Sequence, residues 1–404
     1  MTVNINKSTA RGTISAPPSK SMAHRLLISA ALSEGTSKIS GISDCDDVEA
    51  TIACMRSLGV SIEKKGSDVF VTGVNMLSAS PSEPLFCNES GSTLRFILPI
   101  ALLSGKTVMM RGREGLMRRP LEIYRSLCEK KGLVYLSDDE SITVKGPLSG
   151  GEFSLPGNVS SQFISGLLFA LPLASGNSKI KITPPVESRS YIEMTLAAIA
   201  LFGIDASWED DYTLSIKGGQ SYSPRDVSVE GDYSGTAFPD ALNLFGGSVD
   251  ILGLNEESIQ GDRVYKKYYE QLLNGTPTIH IGDCPDLGPI LFAVAAAKHG
   301  GVFTGTRRLK IKESDRATAM ADELKKFGVS VNVYDDKVVI YPAKFEKPSE
   351  KLFGHSDHRI VMALSVLLTL TGGEIEGAEA IKKSYPAFFD DLKTLGIEVT
   401  RYEA

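Results

Sequence analysis

A lysine, two serine hydroxyls and an arginine lie at the predicted start of a helix, in the segment Pro17-Pro18-Ser19-Lys20-Ser21-Met22-Ala23-His24-Arg25. The first amides of a helix have no partner within the helix, and the helix dipole adds partial positive charge at this end. Two full cations beside such a helix start would bind an oxyanion. An ordinary capped helix with surface cations has the same pattern, so this segment alone leaves both interpretations open.

Other polar motifs recur where a short β-rich stretch meets a turn and then a helix. They supply cations, hydroxyl groups, an amide and carboxylates, which are groups that bind anions and transfer protons. Each motif by itself could be a helix cap or a solvated ion pair. At equivalent ends of facing units, the helix starts and about eight cations would converge on a small polyanion. The motifs after these turns include Asp44-Cys45-Asp46-Asp47, Arg118-Arg119-Pro120, Ser188-Arg189-Ser190-Tyr191 and Lys382-Lys383-Ser384-Tyr385. Two other motifs, Asn158-Val159-Ser160-Ser161-Gln162 and Asp283-Cys284-Pro285-Asp286, each precede an apolar helix.

Two further motifs combine acidic and basic groups. In Lys312-Glu313-Ser314-Asp315-Arg316 we predict Lys312 and Arg316 one turn apart on one helix face, with Glu313 beside them. In Ser356-Asp357-His358-Arg359 the histidine lies at the predicted start of an apolar helix. There it could be oriented for proton relay or for support of its charged neighbours.

The elements that must position these groups show a repeat. Six predicted helices end at a glycine, which would supply the left-handed conformation that ends a helix, and an alternating strand follows. Six β-rich stretches also end in a turn before a helix. This recurrence predicts an α/β protein of six copies of strand, helix and antiparallel strands. The helix stops are Gly59, Gly132, Gly203, Gly275, Gly328 and Gly396, and the turns are Ile39-Ser40-Gly41, Met110-Arg111-Gly112, Ile182-Thr183-Pro184, Ile251-Leu252-Gly253, Phe303-Thr304-Gly305 and Ile375-Glu376-Gly377.

Length and composition restrict the class of protein. The 404 residues suggest two domains, and 42% hydrophobic with 23% charged residues is a globular composition. A formal charge of -6 argues against a dedicated nucleic-acid or membrane-surface binder. The five cysteines form no Cys-x-x-Cys pair, and with few histidines there is no metal-ligand spacing. We therefore expect no metal, and reduced thiols in a cytoplasmic protein. The amino terminus lacks an apolar signal region, and the longest apolar stretches are too short to span a bilayer.

Nine short blocks run through the whole chain: Ser19-Lys20-Ser21 with Arg25, Arg119-Pro120, Ser160-Ser161-Gln162-Phe163, Tyr191-Ile192, Glu230-Gly231-Asp232, Pro285-Asp286, Lys312-Glu313-Ser314-Asp315-Arg316, Asp357-His358-Arg359 and Lys383-Ser384-Tyr385-Pro386. In type and order they resemble the 5-enolpyruvylshikimate-3-phosphate synthases of the enolpyruvyl transferase family. The resemblance implies an α/β fold of two domains, each with three β-α-β-α-β-β units, around a central cleft that holds the active site. It implies a discontinuous domain of residues 1–13 with 233–404 and a second domain of residues 14–232.

The resemblance also implies a reaction. The enolpyruvyl group of phosphoenolpyruvate would move to the 5-hydroxyl of shikimate 3-phosphate through a tetrahedral intermediate, with release of phosphate. No metal or organic cofactor is implied, and the partners would be the two small-molecule substrates, without nucleic acid or membrane. We expect a monomer. The inhibitor glyphosate would occupy the phosphoenolpyruvate site.

By motif, the resemblance assigns residues to each substrate. Ser21 and Arg25 would hold the shikimate moiety. The remaining shikimate 3-phosphate contacts would come from Lys20, Ser160, Ser161, Gln162, Ser188, Tyr191, Asp286 and Lys312. Phosphoenolpyruvate would meet Lys20, Gly91, Arg119, Gln162, Arg316, Arg359 and Lys383. The catalytic candidates are Lys20, Asp286, Glu313, His358 and Lys383, with Asp286 a candidate base and His358 in a supporting role.

One segment departs from the family pattern. Many members read Asn-Ala-Gly-Thr-Ala-Met-Arg-Pro where this chain reads Glu89-Ser90-Gly91-Ser92-Thr93-Leu94-Arg95-Phe96. Only Gly91 and Arg95 match the pattern. The resemblance therefore does not extend to the geometry of the helix in this segment. Two alternatives remain: the relative that uses UDP-N-acetylglucosamine as acceptor, and a non-catalytic sugar-phosphate sensor. The stretch Arg113–Arg119 lacks the cysteine typical of the first, and retained acid and base groups count against the second.

Overall fold

A computed structural model describes residues 1–81 and 83–402 in two units. The terminal unit comprises Met1–Ser19 and the chain from Gly231 onward, and the inserted unit comprises Lys20–Glu230. Each has its own hydrophobic core. None of the helices within the described ranges is long and apolar enough to cross a membrane.

The helices alternate between mostly buried and amphipathic types. Their bounds are α1 (Lys20–Ala31), α2 (Asp46–Ser57), α3 (Gly91–Ala101), α4 (Glu114–Met117), α5 (Glu122–Lys131), α6 (Ser161–Ala170), α7 (Arg189–Leu201), α8 (Tyr233–Leu244), α9 (Tyr265–Leu273), α10 (Gly288–Ala297), α11 (Arg316–Lys326), α12 (His358–Thr371) and α13 (Phe388–Thr394).

The strands form six small sheets, three in each unit. Their bounds are β1 (Thr2–Ile5), β2 (Arg11–Ser15), β3 (Thr36–Ser40), β4 (Ser61–Lys65), β5 (Asp68–Thr72), β6 (Leu85–Phe86), β7 (Thr107–Arg111), β8 (Val134–Ser137), β9 (Ser141–Lys145), β10 (Gly151–Pro156), β11 (Ser178–Thr183), β12 (Ala206–Trp208), β13 (Thr213–Ile216), β14 (Val227–Ser228), β15 (Ser248–Leu252), β16 (Thr278–His280), β17 (Gly301–Thr304), β18 (Val331–Val333), β19 (Lys337–Ile340), β20 (Leu352–Phe353), β21 (Gly373–Glu376) and β22 (Val399–Tyr402).

Five of the sheets have four strands in one shared pattern. In the sheet β6-β7-β9-β8, the first pair is parallel and the other two pairs are antiparallel. The sheets β14-β3-β5-β4, β10-β11-β13-β12, β16-β17-β19-β18 and β20-β21-β1-β22 repeat this arrangement. The sixth sheet consists of β15 and β2 alone, which pair in parallel. The predicted repeat is therefore confirmed as six related sheets, of which one is reduced.

The reduced copy coincides with the one glycine stop that differs. Five of the six predicted glycines have positive φ, between 67° at Gly132 and 99° at Gly59. Gly275 does not appear among the positive-φ residues. After it the chain enters β16, the first strand of the next sheet, instead of an antiparallel hairpin. All six predicted turns are found. They lie at the ends of β3, β7, β11, β15, β17 and β21, each of which pairs in parallel with one neighbouring strand.

Inner helices fill the core of each unit. Gly288–Ala296 of α10 are all buried, as expected for a helix that is apolar on every face. In the inserted unit α3 packs on α6, and in the terminal unit α10 packs on α12. Gly166 permits the first contact, because a Cβ there would lie 2.3 Å from both the carbonyl oxygen of Arg95 and the hydroxyl of Tyr124. The polar starts of these inner helices carry the predicted site residues.

Candidate active site

In the inserted unit, three helices begin at predicted site residues. Lys20 is the first residue of α1, Gly91 of α3 and Ser161 of α6. Ser90 caps α3 by accepting from the amide of Thr93, and Ser160 caps α6 by accepting from the amide of Gln162. Serine is a favoured residue at this cap position. The remaining outward amides and the helix dipoles make each start a suitable place for an anion.

Arg25 is a buried cation with neutral hydrogen-bond acceptors. Its Nη1 donates to the carbonyl of Ser21 at 2.7 Å, its Nη2 to the carbonyl of Tyr191 at 2.9 Å and its Nε to the hydroxyl of Thr195 at 2.8 Å. Burial lowers the pKa of this guanidinium to about 10. The three bonds fix the guanidinium beside Ser21 and Tyr191, both of which were predicted as substrate contacts.

Lys20 is held by a residue that had no predicted role. Its Nζ lies 2.7 Å from Oδ2 of Asp47, in the first turn of α2, and both side chains are largely buried. Asp47 belongs to an acidic motif that was recognised in the sequence, but the partner lies 27 positions away. Only the packing of α1 on α2 brings them together.

The starts of α3 and α6 are joined through Gln162. Its Oε1 accepts from Nη1 of Arg95 at 2.7 Å, and its Nε2 donates to the hydroxyl of Ser92 at 2.9 Å. A Cβ on Gly91 would lie 2.9 Å from Nη1 of both Arg95 and Arg119. Gly91, Arg119 and Gln162 are therefore neighbours, as a shared substrate would require. Arg95 and Ser92 were not predicted to take part, although Arg95 was recognised as a kept motif residue.

Ser188 and Tyr191 lie at the start of α7. Ser188 adopts a left-handed conformation with φ of 57° and is buried. The ring of Tyr191 lies near Arg25, with the guanidinium carbon 6.0 Å from the ring centroid. A non-glycine residue in this backbone region is strained, and such strain is concentrated at functional sites.

In the terminal unit, Asp286 is the centre of a charged cluster. Its Oδ1 lies 3.1 Å from Nζ of Lys312 and 2.8 Å from Nη1 of Arg316, and its Oδ2 lies 3.0 Å from Nη2 of Arg359. Three cations thus meet one carboxylate. The Asp286 cluster, as we call it, comprises these residues with Glu313 and Asp357.

The cluster changes the protonation of its members. Burial by itself would raise the pKa of Asp286, but Arg359, Lys312 and Arg316 outweigh it and hold this pKa well below the ordinary value. Burial lowers the pKa of Lys312, against the attraction of Asp286 and with the repulsion of Arg316 and Arg308. Asp286 is therefore an anion at neutral pH, and Lys312 loses its proton more readily than an exposed lysine.

Arg316 is surrounded by carboxylates. Besides Asp286, its Nη2 lies 2.7 Å from Oε2 of Glu313 and its Nε lies 2.8 Å from Oδ2 of Asp357. The helical prediction for Lys312 is wrong, because α11 begins only at Arg316 and Lys312 has an extended backbone. The two cations nevertheless share Oδ1 of Asp286. The residue before α11, Asp315, caps this helix by accepting from the amide of Thr318.

Arg359 and His358 open α12. Nη1 of Arg359 donates to the hydroxyl of Ser234 at 2.7 Å and to the carbonyl of Asp286 at 3.1 Å. Asp357 caps the helix through the amide of Arg359. His358 is buried, and its Nδ1 is 3.8 Å from Oδ1 of Asp357, which is too far for a hydrogen bond between these atoms.

Lys383 reaches the loop before α12. Its Nζ donates to the carbonyl of Ser356 at 2.7 Å. Ser356 and His355 both have positive φ, 53° and 50°. His355 is joined to the buried Glu323, with 3.0 Å between Nε2 and Oε1. Glu323 therefore helps to hold the loop that orients Lys383, a function that no local sequence pattern indicated.

The predicted residues thus form two groups, one in each unit. Lys20, Ser21, Arg25, Gly91, Arg119, Ser160, Ser161, Gln162, Ser188 and Tyr191 lie in the inserted unit, and Asp286, Lys312, Glu313, Arg316, His358, Arg359 and Lys383 lie in the terminal unit. Within residues 1–81 and 83–402, no group of three or more His, Cys, Asp or Glu side chains has the arrangement of a metal site.

Comparisons with known proteins agree on one family. Residues 5–392 match the family model described as EPSP synthase (3-phosphoshikimate 1-carboxyvinyltransferase). The chain is 41% identical over 417 residues to a 3-phosphoshikimate 1-carboxyvinyltransferase of Clostridium perfringens strain SM101, covering 97% of this chain and 98% of that protein. It is 37% identical over 422 residues to the protein of the same name from Clostridium kluyveri, covering 99% and 98%. In fold it is similar to an EPSP synthase structure from Acinetobacter baumannii, with a TM-score of 0.78, 24% identity and coverage of 99% and 100%.

Proposed function

Because the chain belongs to the EPSP synthase (3-phosphoshikimate 1-carboxyvinyltransferase) family, we propose that it transfers the enolpyruvyl group of phosphoenolpyruvate to the 5-hydroxyl of shikimate 3-phosphate. The products are 5-enolpyruvylshikimate 3-phosphate and inorganic phosphate. This reaction serves the biosynthesis of chorismate and the aromatic amino acids.

The observation that carries the proposal is the setting of Arg25. A buried charge is unfavourable unless it is paired, and all three acceptors of this guanidinium are neutral. An anionic substrate would supply the missing charge. We assign the shikimate moiety to Ser21 and Arg25, and its phosphate to the hydroxyl groups of Ser160, Ser161, Ser188 and Tyr191. Lys20 and Gln162 complete the contacts of this unit.

Phosphoenolpyruvate brings a phosphate and a carboxylate, which need cations to offset their repulsion. We assign it to Lys20, Gly91, Arg119 and Gln162 of the inserted unit and to Arg316, Arg359 and Lys383 of the terminal unit. Holding the two substrates in register replaces a bimolecular encounter by a reaction within one complex.

The reaction has two stages. The methylene carbon of phosphoenolpyruvate takes a proton, and the 5-hydroxyl oxygen bonds to the adjacent carbon and loses its own proton, which gives a tetrahedral ketal. The new methyl carbon then loses a proton while the bond from the ketal carbon to the phosphate oxygen breaks. The carbon–carbon double bond is restored and phosphate leaves, so the atoms and charges balance.

We assign Asp286, an anion at neutral pH, to accept the proton of the 5-hydroxyl, and Lys312 to contact the ring hydroxyls. The three cations that lower the pKa of Asp286 also make it a weaker base. Glu313 and Lys20 are the proposed groups for proton transfer at the methylene carbon, with Lys383 as a further candidate. Within the Asp286 cluster, Glu313 is held by Arg316. His358, buried at the start of α12, would support Asp357 and Arg359.

We propose that the protein is a monomer in the cytoplasm. The five cysteines are free thiols, which suits a reducing compartment. Sedimentation of the purified protein tests the monomer, since a mass near twice 43.4 kDa would contradict it.

Phosphate release tests the function. The purified protein is given phosphoenolpyruvate with shikimate 3-phosphate, or with UDP-N-acetylglucosamine, and no metal is added. Release that depends on shikimate 3-phosphate supports the proposal. Release only with the nucleotide sugar would assign the other acceptor, and binding of shikimate 3-phosphate without release would indicate a sensor.

A matched pair of variants tests the part played by Arg25. Arg25→Gln removes the buried cation, so the KM for shikimate 3-phosphate rises by about tenfold or more. Arg125→Gln alters an exposed arginine that contacts Glu122, the hydroxyl of Ser137 and the ring of Tyr135, and leaves this KM unchanged. Equal KM values in the two variants would remove Arg25 from the binding site.

A further inference from the structure

Four buried polar side chains link α1, α2 and α3 within the inserted unit. Nδ1 of His24 lies 2.8 Å from the hydroxyl of Thr51, and this hydroxyl lies 2.7 Å from that of Thr93. The Thr93 hydroxyl donates to that of Ser90 at 2.7 Å. We call this series, His24–Thr51–Thr93–Ser90, the hydroxyl chain. All four residues are at most 1% exposed.

Donor counting gives the hydroxyl chain a direction. A hydroxyl group has one proton, so Thr93, which donates to Ser90, must accept from Thr51. Thr51 must then accept from His24, which places the imidazole proton on Nδ1. Nε2 of His24 is buried and has no hydrogen-bond partner among the described residues. Burial, with the charges of Lys20 and Arg25, holds the pKa of His24 well below its ordinary value, so the ring is neutral.

The two ends of the hydroxyl chain belong to different parts of the proposed site. His24 lies on α1 between Ser21 and Arg25, the proposed contacts of the shikimate moiety. Ser90 caps α3 immediately before Gly91, a proposed contact of phosphoenolpyruvate. Between them, the carbonyl oxygen of Asp47 lies 3.3 Å from the Thr93 hydroxyl and is an alternative acceptor for its single proton.

Asp47 and Phe96 add two more links between these elements. The carboxylate of Asp47 holds Nζ of Lys20 at 2.7 Å. Phe96, on α3, lies edge-on to the ring of His24 with the centroids 6.4 Å apart. The guanidinium carbon of Arg25 lies 5.2 Å from the centroid of the Phe96 ring, within the range of a cation–π contact.

These contacts involve three of the six departures in residues 89–96. The two alanines of the pattern Asn-Ala-Gly-Thr-Ala-Met-Arg-Pro are Ser90 and Thr93 here, and the proline is Phe96. Alanine has no hydroxyl to form the chain, and proline has no aromatic ring to face Arg25. Phe96 contacts α1 directly, Thr93 reaches it through Thr51 of α2, and Ser90 holds Thr93 at the start of α3.

We propose that the hydroxyl chain and Phe96 are positioning elements that couple the binding of the two substrates. Binding of shikimate 3-phosphate to Ser21 and Arg25 would be transmitted through His24, Thr51 and Thr93 to the start of α3. There it would favour the arrangement of Gly91 that binds phosphoenolpyruvate. This inference rests on the proposed function. None of the four residues touches a reacting atom.

Thr93→Val tests the coupling, because valine keeps the shape of threonine and removes its hydroxyl. Loss of buried hydrogen bonds at the start of α3 raises the KM for phosphoenolpyruvate by about tenfold. The dissociation constant of shikimate 3-phosphate measured alone by calorimetry changes less than twofold, roughly within the scatter of a neutral substitution. Thr93→Ser restores the hydroxyl and returns the KM to near the wild-type value.

Two further variants separate positioning from general stability. Thr51→Val breaks the chain without altering the cap of α3 and raises the same KM. Thr236→Val is the matched control, since Thr236 is buried and its hydroxyl has no hydrogen-bond partner within the described part of the chain. Its kinetic constants remain those of the wild type.

The imidazole of His24 gives a readout that does not depend on activity. Its nitrogen-15 chemical shifts should place the proton on Nδ1 in the wild type. In Thr93→Val, Thr51 is freed to donate to Nδ1, so the proton moves toward Nε2. A wild-type enzyme that turns over while Thr93→Val keeps its KM would overturn the coupling and leave the proposed function intact. A wild type that releases no phosphate would overturn the proposed function and the coupling with it.

Discussion

Arg316 and Asp357 form a buried two-point contact. Nε of the arginine lies 2.8 Å from Oδ2 of the aspartate, and Nη2 lies 3.4 Å from Oδ1. Their side chains are 1% and 0% exposed. The same arginine also joins Asp286 and Glu313, so it compensates three carboxylates at once. Its attraction to these groups raises its pKa despite burial, and it remains charged throughout the accessible pH range.

Arg316→Ala should therefore affect both stability and binding. Removal of one partner of a buried ion pair typically costs about 3–5 kcal/mol, because the remaining charge is left without compensation. We expect a loss of this size in the free energy of unfolding, measured in urea, and a higher KM for phosphoenolpyruvate. Arg307→Ala is the control: its partner Asp335 is 71% exposed, and exposed pairs contribute about 0–1 kcal/mol. An unchanged KM in Arg316→Ala would exclude Arg316 from the phosphoenolpyruvate site.

The lowered pKa of Asp286 predicts that the protein is less stable in acid. Because the folded state lowers the pKa of this carboxyl group, its contribution is complete above the ordinary value of about 3.9 and is lost as pH falls through the lower, folded value. The difference in unfolding free energy between wild type and Asp286→Asn should be largest near neutral pH and shrink below about pH 4. Urea unfolding at a series of pH values measures it. A difference that stays constant with pH would show that the Asp286 carboxylate does not stabilise the fold through its charge.

Lys312 predicts an alkaline limit for substrate binding. The pKa of Lys312 is lowered chiefly by burial. Its ammonium group therefore loses its charge at a lower pH than a free lysine, whose pKa is about 10.4. The KM for shikimate 3-phosphate should therefore rise on the alkaline side at a lower pH than this value. Lys312→Arg keeps the charge and should move that rise to higher pH. Lys310→Arg alters a lysine that pairs with the exposed Asp335, and its profile should match the wild type.

The positive φ of His355, in the loop before α12, predicts that stability and phosphoenolpyruvate binding depend on the residue at this position. His355→Val places a β-branched residue at a φ of 50°, a conformation such residues rarely adopt, whereas asparagine tolerates it. We expect His355→Val to lower stability by about 1–3 kcal/mol and to raise the KM for phosphoenolpyruvate through Lys383. His355→Asn should lose less, because only the contact with Glu323 is removed. His299→Val alters an exposed histidine that is not among the positive-φ residues, and should have little effect.

The two arginines close to Gly91 predict that a side chain at this position weakens phosphoenolpyruvate binding. In Gly91→Ala the new methyl group would lie 2.9 Å from Nη1 of Arg95 and of Arg119, so these flexible side chains must move. The KM for phosphoenolpyruvate should rise while thermal stability changes little. Gly115→Ala is the control, since nothing lies within 4 Å of a Cβ at that position. Equal KM values for the two variants would show that Gly91 does not face this substrate.

Local chemistry determined the framework. The turns after Ser40, Arg111, Thr183, Leu252, Thr304 and Glu376 are all where the sequence places them, because a turn depends on residues adjacent in the chain. The same holds for five glycine helix stops. Gly275 was the exception, since the strand that follows it belongs to the next sheet, and strand pairing is a long-range choice.

Tertiary structure decided the partners. The sequence by itself supplied the types of residue and their places at helix starts, and the nine blocks identified the family. It did not indicate that Asp286 meets Arg359, 73 residues away, or that Asp47 holds Lys20. It also placed Lys312 on a helix that begins only at Arg316. These ion pairs depend on how the buried inner helices pack, and their free energies depend on burial, neither of which a local pattern contains.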